Sequence, residues 1–151
     1  MDKKSFYIDG VYFEPFISVR RNDFYNIFLN IISNAVHHGF KNKRQTNTNL
    51  VRISSHFDFK DYNCVIKIAN NGVPFPQGFG QKELITFGEK TFTSKGNGIG
   101  GYDINKLVKE NNGSFKILSN PEAEFPVAYI LKFPLSEEFL EEELSNNKNK
   151  G

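Results

Sequence analysis

The chain has 151 residues, a mass of 17.3 kDa, a formal net charge of +2 and 38% hydrophobic residues. This length favours one domain with a buried core. The near-neutral charge argues against a nucleic-acid-binding protein that uses a broad basic face. The single cysteine excludes an internal disulfide and a cysteine-based zinc site. No apolar run approaches the ~18 residues of a membrane span and no signal peptide is recognisable, so we expect a soluble protein of the reducing cytoplasm.

The first predicted elements are a short strand or hairpin over residues 6–13 and an amphipathic helix over residues 23–38. The helix is predicted because its apolar residues recur every three or four positions. These residues are Phe24, Ile27, Phe28, Ile31, Ile32 and Ala35. Asn22 or Asp23 is expected to cap this helix, and Gly39 is expected to end it.

Two stretches with alternating polarity, residues 50–57 and 62–69, predict a β-hairpin. The apolar face of the first carries Val51, Ile53 and Phe57, and that of the second carries Tyr62, Cys64, Ile66 and Ile68. Residues 72–96 then show no clear period and contain several prolines and glycines. A loop of this length in a compact domain is usually functional.

A second helix is predicted over residues 99–112, with Gly113 ending it. Strands are expected over residues 114–119 and 127–133, and the latter is apolar on both faces, which is typical of a central strand. Together these elements predict an α/β (α+β) two-layer sandwich, in which a mixed, mostly antiparallel sheet is covered on one face by helices. Residues 136–151 are expected to form a short acidic helix, up to residue 144, and a disordered tail.

A stripe of asparagines accompanies the apolar face of the first helix. Asn26, Asn30 and Asn34 lie four residues apart, and His37 or His38 continues the stripe. Asparagine is a poor helix former, so two mid-helix residues of this type need a reason. They are either exposed to solvent or capping a loop, or their amide oxygens bind a hard cation such as Mg²⁺.

A glycine-rich run stands where the second helix begins, at residues 95–101. Glycines allow backbone N–H groups to approach an anion, and a helix N-terminus adds partial positive charge, so the run is either a phosphate-binding loop or a flexible turn. Gly96, Gly98 and Gly101 also satisfy the dinucleotide pattern G-x-G-x-x-G, with Glu122 downstream. That interpretation fails on context, because a helix and a hairpin come before the run.

The end of the predicted hairpin carries a further polar residue, Asn70. It continues the parity of Ile66 and Ile68, so its side chain should point towards the helix-covered face, where a polar group needs a partner. An Asx-turn is the simpler alternative, since Asn70-Asn71-Gly72 is ordinary turn chemistry.

Taken together, these segments resemble the histidine-kinase-type ATP-binding domain of the gyrase, chaperone, histidine kinase and MutL (GHKL) superfamily, also called the Bergerat fold. Residues 30–38 resemble its N-box, residues 68–72 its G1 box, Phe87 with residues 92–95 the F-box at the end of its ATP lid, and residues 96–102 its G2 box. Residues 111–113 and 131–135 match the closing hairpin. The ordered set covers about residues 23–135, so residues 1–135 are expected to form the ATP-binding domain.

The resemblance implies ATP and Mg²⁺ as ligands. Asn34 would bind Mg²⁺ with assistance from Asn30, and Lys95 would contact the γ-phosphate together with Thr93, so that Asn30, Asn34 and Lys95 form the catalytic set. The remaining implied nucleotide contacts are His37, His38, Asn70, Gly72, Gly96, Asn97, Gly98, Ile99 and Gly100.

Three positions depart from the family pattern. Asn70 stands where the family has an aspartate that accepts a hydrogen bond from the adenine amino group, and a neutral acceptor gives a weaker bond than a carboxylate. Pro74 replaces the second G1 glycine, and residues 122–126 replace a Gly-x-Gly-Thr stretch.

The implied activity is transfer of the γ-phosphoryl group of ATP to a histidine on a separate domain or chain, as in two-component signalling. Asn30 occupies the position where hydrolytic relatives carry a glutamate, and an amide cannot act as a general base, so we expect slow ATP hydrolysis. None of the chain's own histidines is expected to be the acceptor, and no nucleic-acid or membrane partner is expected. Two alternatives stay open, a nucleotide-gated interaction module and a stand-alone anti-sigma-type serine kinase.

Overall fold

A computed structural model of the chain describes residues 6–8, 11–13, 17–41, 48–91 and 100–148. Its elements, in chain order, are β1 (Phe6–Ile8), β2 (Val11–Phe13), α1 (Arg21–Asn34), a π-helical segment (Ala35–Phe40), β3 (Val51–Asp58), β4 (Asn63–Asn70), α2 (Gln81–Thr91), α3 (Gly101–Glu110), β5 (Ser114–Ser119), β6 (Val127–Pro134) and α4 (Glu137–Lys148).

Within the described residues, the main sheet has four strands in the order β3-β4-β6-β5, and its three pairings are all antiparallel. The predicted hairpin is β3–β4, and the predicted central strand β6 lies between β4 and β5. β1 and β2 form a separate antiparallel hairpin, as expected for residues 6–13. The prediction of a mostly antiparallel sheet covered by helices is therefore confirmed.

The core lies between one face of this sheet and the helices. Alternate residues of β4 and β6 point into it, and α1 and α3 supply the opposite side with Ile27, Ile31, Ile104 and Val108, all 1% exposed or less. The apolar face predicted for the first helix is thus the buried one. Tyr62, by contrast, is not part of the β4 face: it lies in the turn before the strand with φ 53° and is exposed. Ile53, placed on the apolar face of β3, is also exposed, at 45%.

α1 begins and ends differently from the sequence prediction. Its N-cap is Arg20, without a side-chain cap, and Asp23 lies in the first turn, where its carboxylate pairs with Arg20 and accepts a hydrogen bond from Asn111. The buried Asn111 amide also accepts the Arg20 N–H at 2.9 Å, so tertiary contacts replace a local cap. At the other end, Gly39 does not stop the helix, because the chain continues as a π-helical segment to Phe40.

The segment predicted to be irregular, residues 72–96, contains the helix α2. Gly80 precedes it, and the Gly80 N–H donates to the Glu83 carboxylate at 2.9 Å, which is half of a capping box. The hydrogen bonds from the backbone N–H groups of Glu83 and Gly80 lower the pKa of Glu83. A glycine followed three residues later by glutamate was the available signal, and the surrounding prolines and glycines obscured it.

The other two helices also differ in detail from their predictions. α3 starts at Gly101, and Asn112, with φ 55°, takes the left-handed conformation that ends it. Gly113 instead permits close packing, since a Cβ there would lie 2.7 Å from the Lys132 carbonyl oxygen. α4 extends through Lys148, four residues into the tail expected to be disordered. Among the described residues, no helix is long and apolar enough to cross a lipid bilayer.

Candidate functional site

The three asparagines of the α1 stripe differ in their exposure to solvent. Asn26 is exposed, whereas Asn30 and Asn34, one and two turns further on, are half-buried. His37 and His38 continue along the helix direction and are exposed. Two of the three asparagines therefore lie at a partly shielded surface, where an amide oxygen remains within reach of a small ligand.

Asn34 is held between the sheet and the start of α3. Its Nδ2 donates a hydrogen bond to the Tyr129 hydroxyl at 3.3 Å, and Tyr129 belongs to the interior strand β6. On its other side the amide packs against Gly100, the residue before α3, where a Cβ would lie 2.9 Å from Oδ1 and 3.0 Å from Nδ2. A side chain at position 100 would therefore clash with the Asn34 amide, and glycine avoids this clash. The N-box helix and the end of the glycine-rich run are adjacent in space.

A second junction joins the end of the same helix to the end of β4. Gly39 and Gly72 lie with their backbones in contact, and the Val73 N–H donates to the Gly39 carbonyl oxygen at 2.9 Å. Asn70 is 4% exposed and lies at this junction, and its Oδ1 accepts the Gly72 N–H at 3.0 Å. The Asx-turn alternative for Asn70 is thus what the backbone adopts, and the parity prediction that its side chain is buried is also confirmed.

These two junctions give the glycines a structural reason that the sequence did not reveal. The resemblance implies that Gly72 allows close approach of a nucleotide, but in the fold Gly72 is buried against Gly39. Along the helix, Asn34 and Gly39 are five residues apart, about 7 Å at the rise of a helix. The N-box, the G1 box and Gly100 at the described end of the G2 box therefore meet along one short stretch of helix.

Tyr129 is the site-lining residue that sequence reasoning missed. Within an apolar strand a tyrosine carries no distinguishing signal, and only the tertiary structure brings its hydroxyl to Asn34. Burial raises the pKa of Tyr129 to about 12, and the hydrogen bond from Asn34 opposes that rise. The phenol therefore stays neutral at physiological pH. Its ring meets Phe75 edge-on at 6.4 Å, and Phe75 stacks on Phe79 at 5.2 Å, so the segment after β4 packs over it.

Several predicted site residues lie outside the described residues: Thr93, Lys95, Gly96, Asn97, Gly98 and Ile99. Phe87 lies within α2, where the backbone alone is described. The described part of the site comprises Asn30, Asn34, His37, His38, Asn70, Gly72 and Gly100.

The described residues at this site offer a metal ion the side-chain amide oxygens of Asn30 and Asn34. They include no group of three or more His, Cys, Asp or Glu that could hold a metal ion. The Asn34 amide fits a hard cation, because Nδ2 donates to the Tyr129 hydroxyl and Oδ1, the harder ligand atom, is not used in that bond. A cation here would need further oxygen ligands from a substrate or from water.

An antiparallel sheet covered by helices, with Asn34 of one helix packed against Gly100 at the start of another, is the arrangement of a nucleotide-binding ATPase class of domain. The sequence family described as histidine kinase-, DNA gyrase B-, and HSP90-like ATPase matches residues 20–137. The chain belongs to this family, and membership implies ATP binding. No curated protein matches the chain significantly.

Solved structures with a similar fold include catalytic domains of the histidine kinase ThkA in nucleotide-free crystal forms. One orthorhombic form has a TM-score of 0.58 and 20% identity, covering 80% of this chain and 71% of that chain. A form with isopropanol has a TM-score of 0.55 and 20% identity, covering 78% of this chain and 69% of that chain. A form with 1,2-propanediol has a TM-score of 0.57 and 19% identity, covering 78% of this chain and 70% of that chain. At this level of identity the likeness establishes the fold.

Proposed function

We propose that this domain binds ATP with Mg²⁺ and transfers the γ-phosphoryl group to a histidine on a separate domain or chain. The contact between Asn34 and Gly100 carries the proposal, because it sets a half-buried amide beside the end of a glycine-rich run that opens a helix. Backbone N–H groups at such a helix start bind phosphate, and amide oxygens bind Mg²⁺. Both halves of a Mg-triphosphate site are thus adjacent.

Asn34 would hold the ion through Oδ1, with Asn30 assisting one turn away. Mg²⁺ commonly keeps several waters and takes one or two protein ligands together with substrate phosphates, so a site with few protein oxygens suits it. When bound, the ion would neutralise charge on the β- and γ-phosphates. The amides of residues 96–100 would cradle the phosphate chain, with Lys95 and Thr93 at the γ-phosphate.

The base would lie near the second junction. Asn70 would accept a hydrogen bond from the adenine amino group through Oδ1, which has two lone pairs and uses one of them to accept the Gly72 N–H. His37 and His38 are exposed at the same end of the helix and are within the proposed nucleotide-binding set. Gly72 contributes by keeping the helix and β4 in backbone contact.

The chemical step is an in-line displacement. A ring nitrogen of the acceptor histidine bonds to the γ-phosphorus, the bond to the β–γ bridging oxygen breaks, and ADP leaves with that electron pair. The histidine loses its ring proton to solvent. The protein's contribution is positioning and charge stabilisation. Because Asn30 is an amide and cannot accept a proton, water is not activated and hydrolysis stays slow.

Calorimetric titration with a non-hydrolysable ATP analogue tests binding, once with Mg²⁺ and once with EDTA. Asn34→Ala should weaken Mg²⁺-dependent binding by at least about tenfold. Asn26→Ala is the matched control, since it changes the same residue type on the same helix at an exposed position, and it should leave the affinity unchanged. Equal affinities of the two variants would contradict the role of Asn34.

Incubation with γ-labelled ATP and a candidate acceptor domain tests transfer. Phosphohistidine is acid-labile and alkali-stable, so the proposal predicts a label that acid removes. An acid-stable label would favour a serine kinase, and tight binding without transfer would favour a nucleotide-gated interaction module.

A further inference from the structure

Tyr129 carries a hydroxyl group into the core face of β6, which is otherwise apolar. The other residues of β6 on that face are Val127, Leu131 and Phe133, and Tyr129 itself is 1% exposed. A buried phenol costs free energy unless its hydroxyl has a partner, and phenylalanine would fill the same space without that cost. The hydroxyl therefore needs a reason, and its partner is the side chain of Asn34.

The position of this hydroxyl is fixed by the sheet. Tyr129 is paired in register with Ile68 of β4 and Ile117 of β5, so strands hold its backbone on both sides. The edge-on contact with Phe75 restrains the ring. The Tyr129 hydroxyl is therefore held in place by the strand pairing and the ring contact, and it restrains a group that is hydrogen-bonded to it.

The Asn34 amide is held on two sides by these neighbours. The Tyr129 hydroxyl accepts a hydrogen bond from Nδ2. On the other side the amide packs against Gly100, which blocks its movement towards α3. Rotation about the last torsion of an asparagine is otherwise broad, so an unrestrained amide would present oxygen and nitrogen in turn to the same point. With Nδ2 engaged, Oδ1 is the amide atom left for a cation.

We infer that Tyr129 is a positioning residue, whose hydroxyl holds the Asn34 amide with Oδ1 available to the Mg²⁺ of the bound nucleotide. The inference rests on the proposed function, because it assumes that Asn34 binds the ion. It adds that the metal ligand is oriented from the sheet, through a side chain that does not itself touch the nucleotide.

Tyr129→Phe removes the hydroxyl and keeps the ring. Losing one hydrogen bond that organises the ligand should weaken Mg²⁺-dependent binding of the ATP analogue by about three- to tenfold. Binding in EDTA should be unchanged, which a general packing defect would not produce. Tyr25→Phe is the matched control, because Tyr25 lies on α1 and is 59% exposed, and it should bind like the wild type under both conditions.

A double-mutant cycle tests whether Tyr129 acts through Asn34. In an Asn34→Ala background, Tyr129→Phe should have no further effect on the Mg²⁺-dependent affinity, since the amide that it positions is gone. Additive effects would overturn the inference, as would equal loss of binding with Mg²⁺ and with EDTA. Wild-type protein that binds no nucleotide would instead overturn the proposed function, so the two failures are distinguishable.

A measurement on the wild-type chain alone avoids reliance on the folding of a variant. In the nucleotide-free protein, the side-chain amide protons of Asn34 should exchange with solvent at least about tenfold more slowly than those of the exposed Asn26, because they donate to a buried oxygen. Side-chain amide signals assigned in the wild-type spectrum through their couplings to the backbone of Asn34 and Asn26 give both rates. Equal exchange rates would overturn the inference.

Discussion

A Cβ atom placed on Gly72 would lie 2.7 Å from both the Cα and the carbonyl carbon of Gly39, closer than real Cβ atoms approach other atoms. The π-helical segment that follows α1 and the residues just after β4 are therefore in direct backbone contact. These two atoms are main chain, which cannot rotate away, and the Cβ would also lie 2.8 Å from Oδ1 of Asn70. This junction fixes how far the helix stands from the sheet at the proposed base-binding end of the site.

Gly72→Ala should lower the free energy of unfolding by about 1–3 kcal/mol, because the added methyl group forces the helix and strand apart. Urea denaturation measured by circular dichroism gives this value. Gly80→Ala is a suitable control. A Cβ there meets only the end of the Glu83 side chain, 3.2 Å away. The free energy of unfolding should therefore fall by less than about 1 kcal/mol. Equal losses in the two variants would argue against the close contact.

Asn70→Asp should tighten ATP binding by about three- to tenfold, since a carboxylate accepts a stronger hydrogen bond from the adenine amino group than an amide does. The gain should be absent with inosine triphosphate, whose base has a carbonyl oxygen in place of the amino group. Calorimetric titration with both nucleotides measures the difference. The Gly72 N–H keeps its acceptor in this variant.

The control for that substitution is Asn71→Asp, which adds the same charge one residue away, where the wild-type side chain bonds to the backbone at Leu50 and Thr48. Its ATP affinity should not rise. A gain common to both variants, or one that extends to inosine triphosphate, would mean that Asn70 does not contact the amino group.

Alkaline pH should destabilise the protein through Cys64. Burial raises the pKa of the Cys64 thiol from 9.0 to about 11. Between these two pH values the unfolded chain releases the thiol proton while the folded chain keeps it. The stabilising contribution is therefore complete below pH 9 and is lost as pH rises towards 11, by up to about 1.4 kcal/mol per pH unit.

Cys64→Ala isolates that contribution, because all other titrating groups are common to both proteins. Urea denaturation under reducing conditions should give a free energy of unfolding that falls less steeply above pH 9 in the variant than in the wild type. Parallel curves from pH 8 to 11 would show that the thiol is not desolvated in the folded protein.

The sequence predicted those elements in which hydrophobic periodicity and length agree. The apolar stripe through Ile27 and Ile31 predicted the buried face of α1, and the unbroken apolar run of β6 predicted its interior place in the sheet. The order of the asparagine and glycine segments predicted the family. Each of these signals is local, so it can be read along the chain.

Predictions failed where a contact between distant segments overrides the local signal. Asp23 looked like a helix cap, but the side chain of Asn111, the residue that follows α3, accepts the Arg20 N–H at the helix start. Gly39 looked like a helix stop and is instead the point where the helix meets Gly72. Residues 81–91 looked irregular, yet they form a helix that packs on α3 so closely that Gly101 has no room for a side chain beside Leu84.

The sequence by itself determined the order of the strands and of the helices other than α2, the family, and the residue types that can bind phosphate and a hard cation, because each depends on neighbours within a few positions. Only the tertiary structure decided that Asn34 lies between Tyr129 and Gly100. Those partners are 95 and 66 residues away along the chain. Their meeting depends on strand order and helix packing, which no local pattern encodes.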